Sequence, residues 1–107
     1  MYEEVYDAVK NWLNSVMIEF SGCIEFETLD ATPDCLTVNM ETAHYIAQLN
    51  VSRPDFRPYR YVELYVLDSD QDLHAEPVFV FRDDENDTVT DVVQSLNKGI
   101  SLITGRK

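Results

Sequence analysis

The first twenty residues carry apolar side chains at steps of three and four. The recurring positions are Tyr2, Val5, Val9, Trp12, Leu13, Val16 and Phe20. This spacing places them on one face of an α-helix, and Gly22 follows where a helix would stop. We therefore predict an amphipathic helix over residues 2–20.

After this helix the pattern changes from helical spacing to alternation of apolar and polar residues. Residues 23–29 and 35–40 alternate in this way, and a turn-forming stretch at residues 30–34 separates them. A third strand is predicted over residues 45–51. A short helix over residues 41–48 is the competing interpretation, because the alanines there tolerate either state.

The second half of the chain begins with a proline-containing loop at residues 52–58. Two strands follow, over residues 59–67 and 75–82, joined by an acidic turn. A second amphipathic helix is predicted over residues 88–103, capped by Asn86, Asp87 or Thr88. Its apolar stripe consists of Val89, Val92, Val93, Leu96, Ile100 and Ile103.

The predicted order is helix, about five strands, helix, in a single domain over residues 1–107. Hairpin-length connections make the sheet antiparallel, so the fold class is α+β. Each helix turns an apolar stripe towards the sheet, and Trp12 and Val93 are expected in the core. A first hairpin centred on Thr32 would place Cys23 opposite Glu41.

The last hairpin separates aliphatic from aromatic side chains if its midpoint is Gln71. Val62 would then oppose Val80, and Leu64 would oppose Val78, forming an aliphatic face towards the core. The other face would hold Tyr59, Tyr61, Glu63, Tyr65, Phe79 and Phe81. Aromatic residues beside acids resemble the centre and rim of a protein interface, although a helix covering this face would make it ordinary core.

The charge of the chain is strongly negative, with 20 acidic against 8 basic residues and a net charge of −12. Acids concentrate near the last hairpin, at Asp68, Asp70, Asp72, Glu76, Asp83, Asp84, Glu85, Asp87 and Asp91. Such a field raises self-repulsion and favours a positively charged partner, although solubility alone also explains it. It disfavours binding to nucleic acid or to an anionic membrane, since phosphate contacts need Lys and Arg.

No candidate catalytic or metal site emerges from the remaining residues. Cys23 and Cys35 are read as reduced, half-buried thiols, because the hairpin register keeps them apart. With His44 and His74 they do not match zinc-ligand spacing. Residues 68–72 mimic the start of a calcium loop, but Leu73 and Phe79 occupy the positions that need Gly and Glu. We predict a non-enzymatic protein without a cofactor, located in the cytoplasm because its first residues lack a signal-peptide pattern.

Three segments of the chain form one pattern: residues 45–51 (YIAQLNV), residues 61–68 (YVELYVLD) and the terminal amphipathic helix. They carry a resemblance to small immunity proteins of bacterial polymorphic-toxin systems, with the TriTu immunity family as the nearest group. It covers roughly residues 36–103 and a leading helix with a tryptophan, here Trp12. Ser52 stands where the family pattern has a tryptophan. The resemblance implies a non-catalytic protein that binds and neutralises one cognate toxin.

The predicted function is therefore an inhibitor that covers the basic surface of a toxin, such as a nuclease. The predicted partner-binding residues are Tyr59, Tyr61, Glu63, Tyr65, Asp68, Asp70, Asp72, Asp83, Asp84 and Glu85. Alternatives are a phage-encoded DNA mimic directed against a host nuclease, an acidic secretion chaperone, and a structural or virion component. The sequence leaves the oligomeric state open.

Overall fold

A computed structural model describes residues 2–53, 61–69 and 76–105. The elements are α1 (Tyr2–Glu19), β1 (Glu25–Thr32), β2 (Cys35–Glu41), β3 (Tyr45–Ser52), β4 (Val62–Asp68), β5 (Phe79–Arg82) and α2 (Val89–Thr104). The strands form one antiparallel sheet in the order β1-β2-β3-β4-β5. The α+β fold class is confirmed, and residues 45–52 are a strand rather than the competing helix.

The hydrophobic core lies between the sheet and both helices. Alternate residues of β2, β3 and β4 are almost fully buried and form one cluster with the apolar stripes of α1 and α2. Their intervening neighbours are half-buried or exposed. Both helices therefore cover the same face of the sheet.

The N-terminal stripe is buried except for the half-buried Val5, and the C-terminal stripe is buried except for the half-buried Val89 and Val93. Trp12 is 8% exposed and Val92 is 2% exposed. Val93 is only half-buried at the margin of the core, so its predicted core position is wrong. Helix α2 turns Val92 rather than Val93 into the core.

The ends of α2 carry strong local signals. Thr88 is the N-cap, and its side chain and that of Asp91 bond each other's backbone N–H in a capping box. At the other end Gly105 has a φ of 74°, a left-handed conformation that glycine adopts without steric cost. Of the three predicted caps, Thr88 is the one used.

The first hairpin differs from its predicted register. Its turn lies at Pro33 and Asp34, so Thr32 pairs with Cys35, and Glu25 rather than Cys23 lies opposite Glu41. The strand continues through part of the predicted turn, and a register shift between Thr28 and Asp30 accommodates one extra residue.

The two cysteines consequently have different surroundings. Cys23 is exposed in the turn before β1, and Cys35 is half-buried at the start of β2. Both thiols are free. The half-buried prediction is correct for Cys35 and wrong for Cys23.

The last hairpin is shifted by three residues from the predicted register. Tyr65 pairs with Val80 and Leu64 pairs with Phe81, whereas the predicted midpoint, Gln71, lies outside the described residues. An odd shift moves every side chain of a strand to the opposite face. Phe79 and Phe81 therefore pack against the core, while Val80 is 42% exposed.

Helix α2 packs closely against the inward-facing Phe79. A Cβ atom added at Gly99 would lie 2.6 Å from Leu64 Cδ2 and 3.2 Å from Phe79 Cε2. The missing side chain lets α2 approach β4 and β5 closely, and the Phe79 ring fills the space beside it. The predicted separation into aliphatic and aromatic faces is therefore wrong for β5.

Candidate functional site

The surface opposite the helices is made by the outward side chains of the five strands, and we call it the open face. Within the described ranges no helix covers it. Directly paired positions form three rows across the strands. The rows are Glu25, Glu41, Ile46 and Leu67; Glu27, Asn39, Gln48, Tyr65 and Val80; and Asp30, Thr37, Asn50, Glu63 and Arg82.

One side of the open face carries an apolar patch, which we call the apolar half and which consists of Ile46, Leu67, Tyr65 and Val80. Ile46 and Val80 are 39% and 42% exposed. Leu67 lies directly opposite Ile46, and Tyr65 lies directly opposite Val80. Exposed apolar side chains that adjoin each other on one surface are typical of an interaction site.

The other half of the open face is acidic. Glu25, Glu27, Asp30 and Glu41 are exposed, and within the described part of the chain no Lys or Arg forms a salt bridge with them. Glu25 lies directly opposite Glu41, a like-charge pair that destabilises a sheet. These carboxylates give this half of the open face a negative potential.

A chain of hydrogen bonds joins the apolar and acidic halves. The Tyr65 hydroxyl donates to Gln48 Oε1 at 3.0 Å, and Gln48 Nε2 donates to Asn39 Oδ1 at 2.9 Å. Asn50 Nδ2 donates to Gln48 Oε1 at 3.1 Å, and Thr37 Oγ1 donates to Asn50 Oδ1 at 3.2 Å. Side chains held in this way lose little further freedom when a partner binds.

The hydroxyl of Tyr65 remains a donor at neutral pH. Burial of its ring raises its pKa above the ordinary value of 10.0, and the charge of Glu63 raises it further. Glu63 itself accepts a hydrogen bond from Arg82 Nε at 2.9 Å. It is therefore an ion-paired carboxylate of the open face, unlike the four of the acidic half.

A shallow depression of about 390 Å³ lies where the two halves meet. Its walls include Glu25, Glu27, Glu41 and Asn39, with Ile46 at its apolar side. Carboxylates around an aliphatic surface match the chemistry of lysine and arginine, whose long stems pack on apolar groups while their charged ends remain polar.

The aromatic residues predicted to bind a partner lie in different places. Tyr65 and Glu63 are on the open face. The Tyr61 ring lies 5.3 Å from the Tyr2 ring of α1 in an edge-on arrangement and packs against the core. Tyr59 lies outside the described residues. The structure therefore does not bring the predicted tyrosines together on one binding surface.

The predicted acidic residues near the last hairpin also separate into distinct environments. Asp68 ends β4 and is half-buried, whereas Asp84 and Glu85 are exposed in the turn before α2. Asp84 accepts a hydrogen bond from the backbone N–H of Asn86 at 2.7 Å. Asp70 and Asp72 lie outside the described residues, as does most of the calcium-loop-like segment.

Asp83 is part of the structural core rather than an exposed acid, which corrects the sequence prediction. It is 3% exposed, and its Oδ1 accepts hydrogen bonds from the backbone N–H groups of Tyr61 and Val62 at 2.8 and 2.9 Å. Its carboxylate therefore replaces a strand partner at the start of β4. A docking protein cannot reach it.

A second hollow, of about 340 Å³, lies between α1 and the first hairpin. The side chains that line this hollow contact each other. Arg53 forms a salt bridge with Glu3, and its Cζ lies 4.4 Å from the centroid of the Tyr2 ring. The hydroxyls of Tyr2 and Tyr6 donate to the carbonyls of Pro33 and Thr32. These contacts fasten the helix to the sheet, so we assign the hollow a structural role.

Sequence reasoning did not single out Ile46, Leu67 and Val80, or the alternating glutamates Glu25 and Glu27, as site residues. The alternation was visible, but the pairing of β4 with β5 was not. Among the described residues, no cluster of His, Cys, Asp or Glu has metal-binding geometry, and no helix is long and apolar enough to cross a membrane.

Comparisons with known protein families, with curated protein sequences and with solved structures find no match for this chain.

Proposed function

We propose that this chain is a non-catalytic binding protein of the immunity or antitoxin type, which neutralises a bacterial toxin by covering its basic surface with the open face. The observation that carries the proposal is the composition of that face. Exposed apolar side chains adjoin a set of carboxylates that have no salt-bridge partner among the described residues.

The apolar half supplies the part of the interface that excludes water. Ile46, Leu67, Tyr65 and Val80 form two neighbouring pairs, and burial of such groups drives most protein association. An aromatic residue with a fixed hydroxyl is a frequent energetic centre of an interface. Tyr65 has this character because Gln48 orients its hydroxyl.

The acidic half supplies complementarity to a positive partner. A nuclease or another toxin that acts on nucleic acid needs a positive cleft to hold phosphate groups. Glu25, Glu27 and Glu41 would face that surface and accelerate encounter through long-range attraction. The like-charge pair of Glu25 and Glu41 would be relieved when a cation of the partner lies between them.

The decisive experiment tests neutralisation directly. The product of the gene adjacent to this chain's own gene is expressed in a bacterial host, alone and together with this chain. Growth arrest by the neighbour alone and restored growth on co-expression are the expected results. A neighbour that is not toxic, or toxicity that this chain does not relieve, would contradict the proposal.

A pair of matched variants tests the face. Ile46→Lys places a charge in the apolar half of the open face, whereas Ile18→Lys makes the same change at an isoleucine of α1 that is 80% exposed. We expect Ile46→Lys to abolish the rescue and Ile18→Lys to preserve it. Equal effects of the two variants would show that another surface binds the toxin.

A second pair tests the electrostatic contribution. Glu25→Gln with Glu41→Gln removes two charges from the open face, and Glu4→Gln with Asp7→Asn removes two from α1. The first pair should slow association with the purified toxin by about tenfold at low salt and flatten its salt dependence. The second pair should change the rate much less. If the two double variants associate with the toxin at the same rate, the charge of the open face does not contribute to binding and serves solubility only.

A further inference from the structure

Strand β5 forms an edge of the sheet, and within the described ranges no strand lies beyond it. The backbone N–H of Asp83 donates to the Val62 carbonyl at 3.2 Å, so these two residues are a hydrogen-bonded pair of the antiparallel ladder. Such pairs recur at every second residue along β5. Phe79 and Phe81 therefore direct their backbone groups towards β4. The backbone N–H and C=O groups of Val80 and Arg82 point away from the sheet.

The opposite edge of the sheet is protected in a way that β5 is not. β1 contains a register shift next to Leu29, and such an irregularity discourages regular pairing with another strand. The outward side chains of β5 are an exposed valine, Val80, and Arg82, whose charge is already paired with Glu63. The edge of β5 is thus the one suited to an added strand.

The charges around β5 indicate the chemistry of such a strand. Glu76 precedes it, and Asp84 and Glu85 follow it, and all three are exposed. A segment lying along β5 would have these carboxylates at both of its ends. Lysine or arginine near the ends, and an apolar side chain beside Val80 and Tyr65, would complement this surface.

We propose that the partner contributes an extended basic segment that pairs with β5 as a sixth strand of the sheet. The basic character of the partner rests on the proposed function, whereas the pairing rests on the backbone geometry of β5. Because β5 has only four residues, backbone pairing alone is weak. The added strand therefore needs side-chain contacts with the adjoining apolar half of the open face.

A short amidated peptide of alternating lysine and valine is the probe. It is titrated into the isotope-labelled protein while backbone amide shifts and hydrogen exchange are followed by nuclear magnetic resonance. We expect the exchange of the Val80 and Arg82 amides to slow by about tenfold or more at saturation, because they become donors in the new ladder. The same peptide with glutamate in place of lysine should leave them unchanged.

Two changes test backbone pairing itself. Val80→Pro removes an outward N–H and no internal hydrogen bond, so the fold should persist and peptide binding should be lost. The second is a peptide with methylated backbone nitrogens at alternate positions, which leaves the protein unaltered and blocks the ladder from the other side. It should not protect the two amides.

The possible outcomes separate the two proposals. Absence of binding up to millimolar peptide overturns strand addition. Shifts in the side-chain amides of Gln48 and Asn50 with unchanged exchange at Val80 and Arg82 also overturn it, but leave the open face as a docking surface. Protection at the edge combined with failure of the toxin rescue overturns the proposed function alone.

Discussion

Replacing Asp83 by alanine should destabilise the fold far more than its position in an acidic run suggests. The carboxylate is 3% exposed and accepts two backbone hydrogen bonds, from Tyr61 and Val62. Alanine would leave both N–H groups without this acceptor. The Val62 bond is buried and the Tyr61 bond is only partly buried, so water can compensate the second more easily than the first.

The magnitude follows from these two environments. A buried donor that loses its partner costs about 1–3 kcal/mol. With about 2 kcal/mol for Val62 and about 1 kcal/mol for Tyr61, the free energy of unfolding should fall by about 3 kcal/mol. In a domain of this length each 1 kcal/mol lowers the melting temperature by roughly 4–8 °C, so Asp83→Ala should melt roughly 15 °C below the parent.

Denaturant unfolding followed by the fluorescence of the single tryptophan, Trp12, measures this change. Asp83→Asn retains an oxygen where Oδ1 now accepts both bonds and should cost about 1 kcal/mol through loss of charge assistance. Glu85→Ala removes the same charge from an exposed neighbour and should stay within about 0.5 kcal/mol of the parent. The reasoning fails if Asp83→Ala and Glu85→Ala unfold at the same denaturant concentration.

Three further predictions concern the core, the sheet and the pH dependence. Val92→Asp should lower the free energy of unfolding by on the order of 3 kcal/mol or more, and Val93→Asp clearly less, because only Val92 is fully buried. Comparable losses of the two variants in thermal melts would contradict the packing of α2. Glu41→Gln should raise the free energy of unfolding by about 0.2–1 kcal/mol, since it removes the repulsion from Glu25; a measurable loss in denaturant unfolding would contradict this register. Burial, assisted by a neighbouring tyrosine, raises the pKa of Tyr2 from 10.0 to about 12. The stability that the neutral Tyr2 hydroxyl gives the fold is therefore complete below pH 10 and is lost as the pH rises through 12. Alkaline melts should show a smaller loss in Tyr2→Phe, and an equal loss would refute the assignment.

The sequence predicts the elements well because their signals are local. The apolar stripe of residues 88–103 and the cap at Thr88 are both visible in the pattern, and both hold in the structure. The order of the strands follows from short connections between alternating runs. The acidic half of the open face is equally visible, in the alternating glutamates of β1.

The register of the last hairpin was not predictable in the same way. Its inward phenylalanine Phe79 lies beside the position where a Cβ atom at Gly99 of α2 would be, and that contact joins residues far apart in the chain. The role of Asp83 was hidden for a similar reason, since the two residues that follow it, Asp84 and Glu85, are also acids. Only the proximity of two backbone N–H groups distinguishes it. Val80 joins Tyr65 in the apolar half only through the register of β4 and β5, so that half of the open face could not be identified from the sequence pattern.

The arrangement of the chain also has a consequence for how the molecule folds. Every pairing in the sheet joins strands that are consecutive in sequence, so the hairpins can form one after another with short loop closures. The indole N–H of Trp12 donates to Asn97 Oδ1 at 2.7 Å across 85 positions, so α1 and α2 meet only when nearly the whole chain is present. During synthesis α1 can pack on the sheet as soon as its strands form, whereas the part of the apolar side that α2 covers stays exposed until α2 leaves the ribosome. Closure of the two helices is therefore the step that ends the exposure of a nascent chain to aggregation.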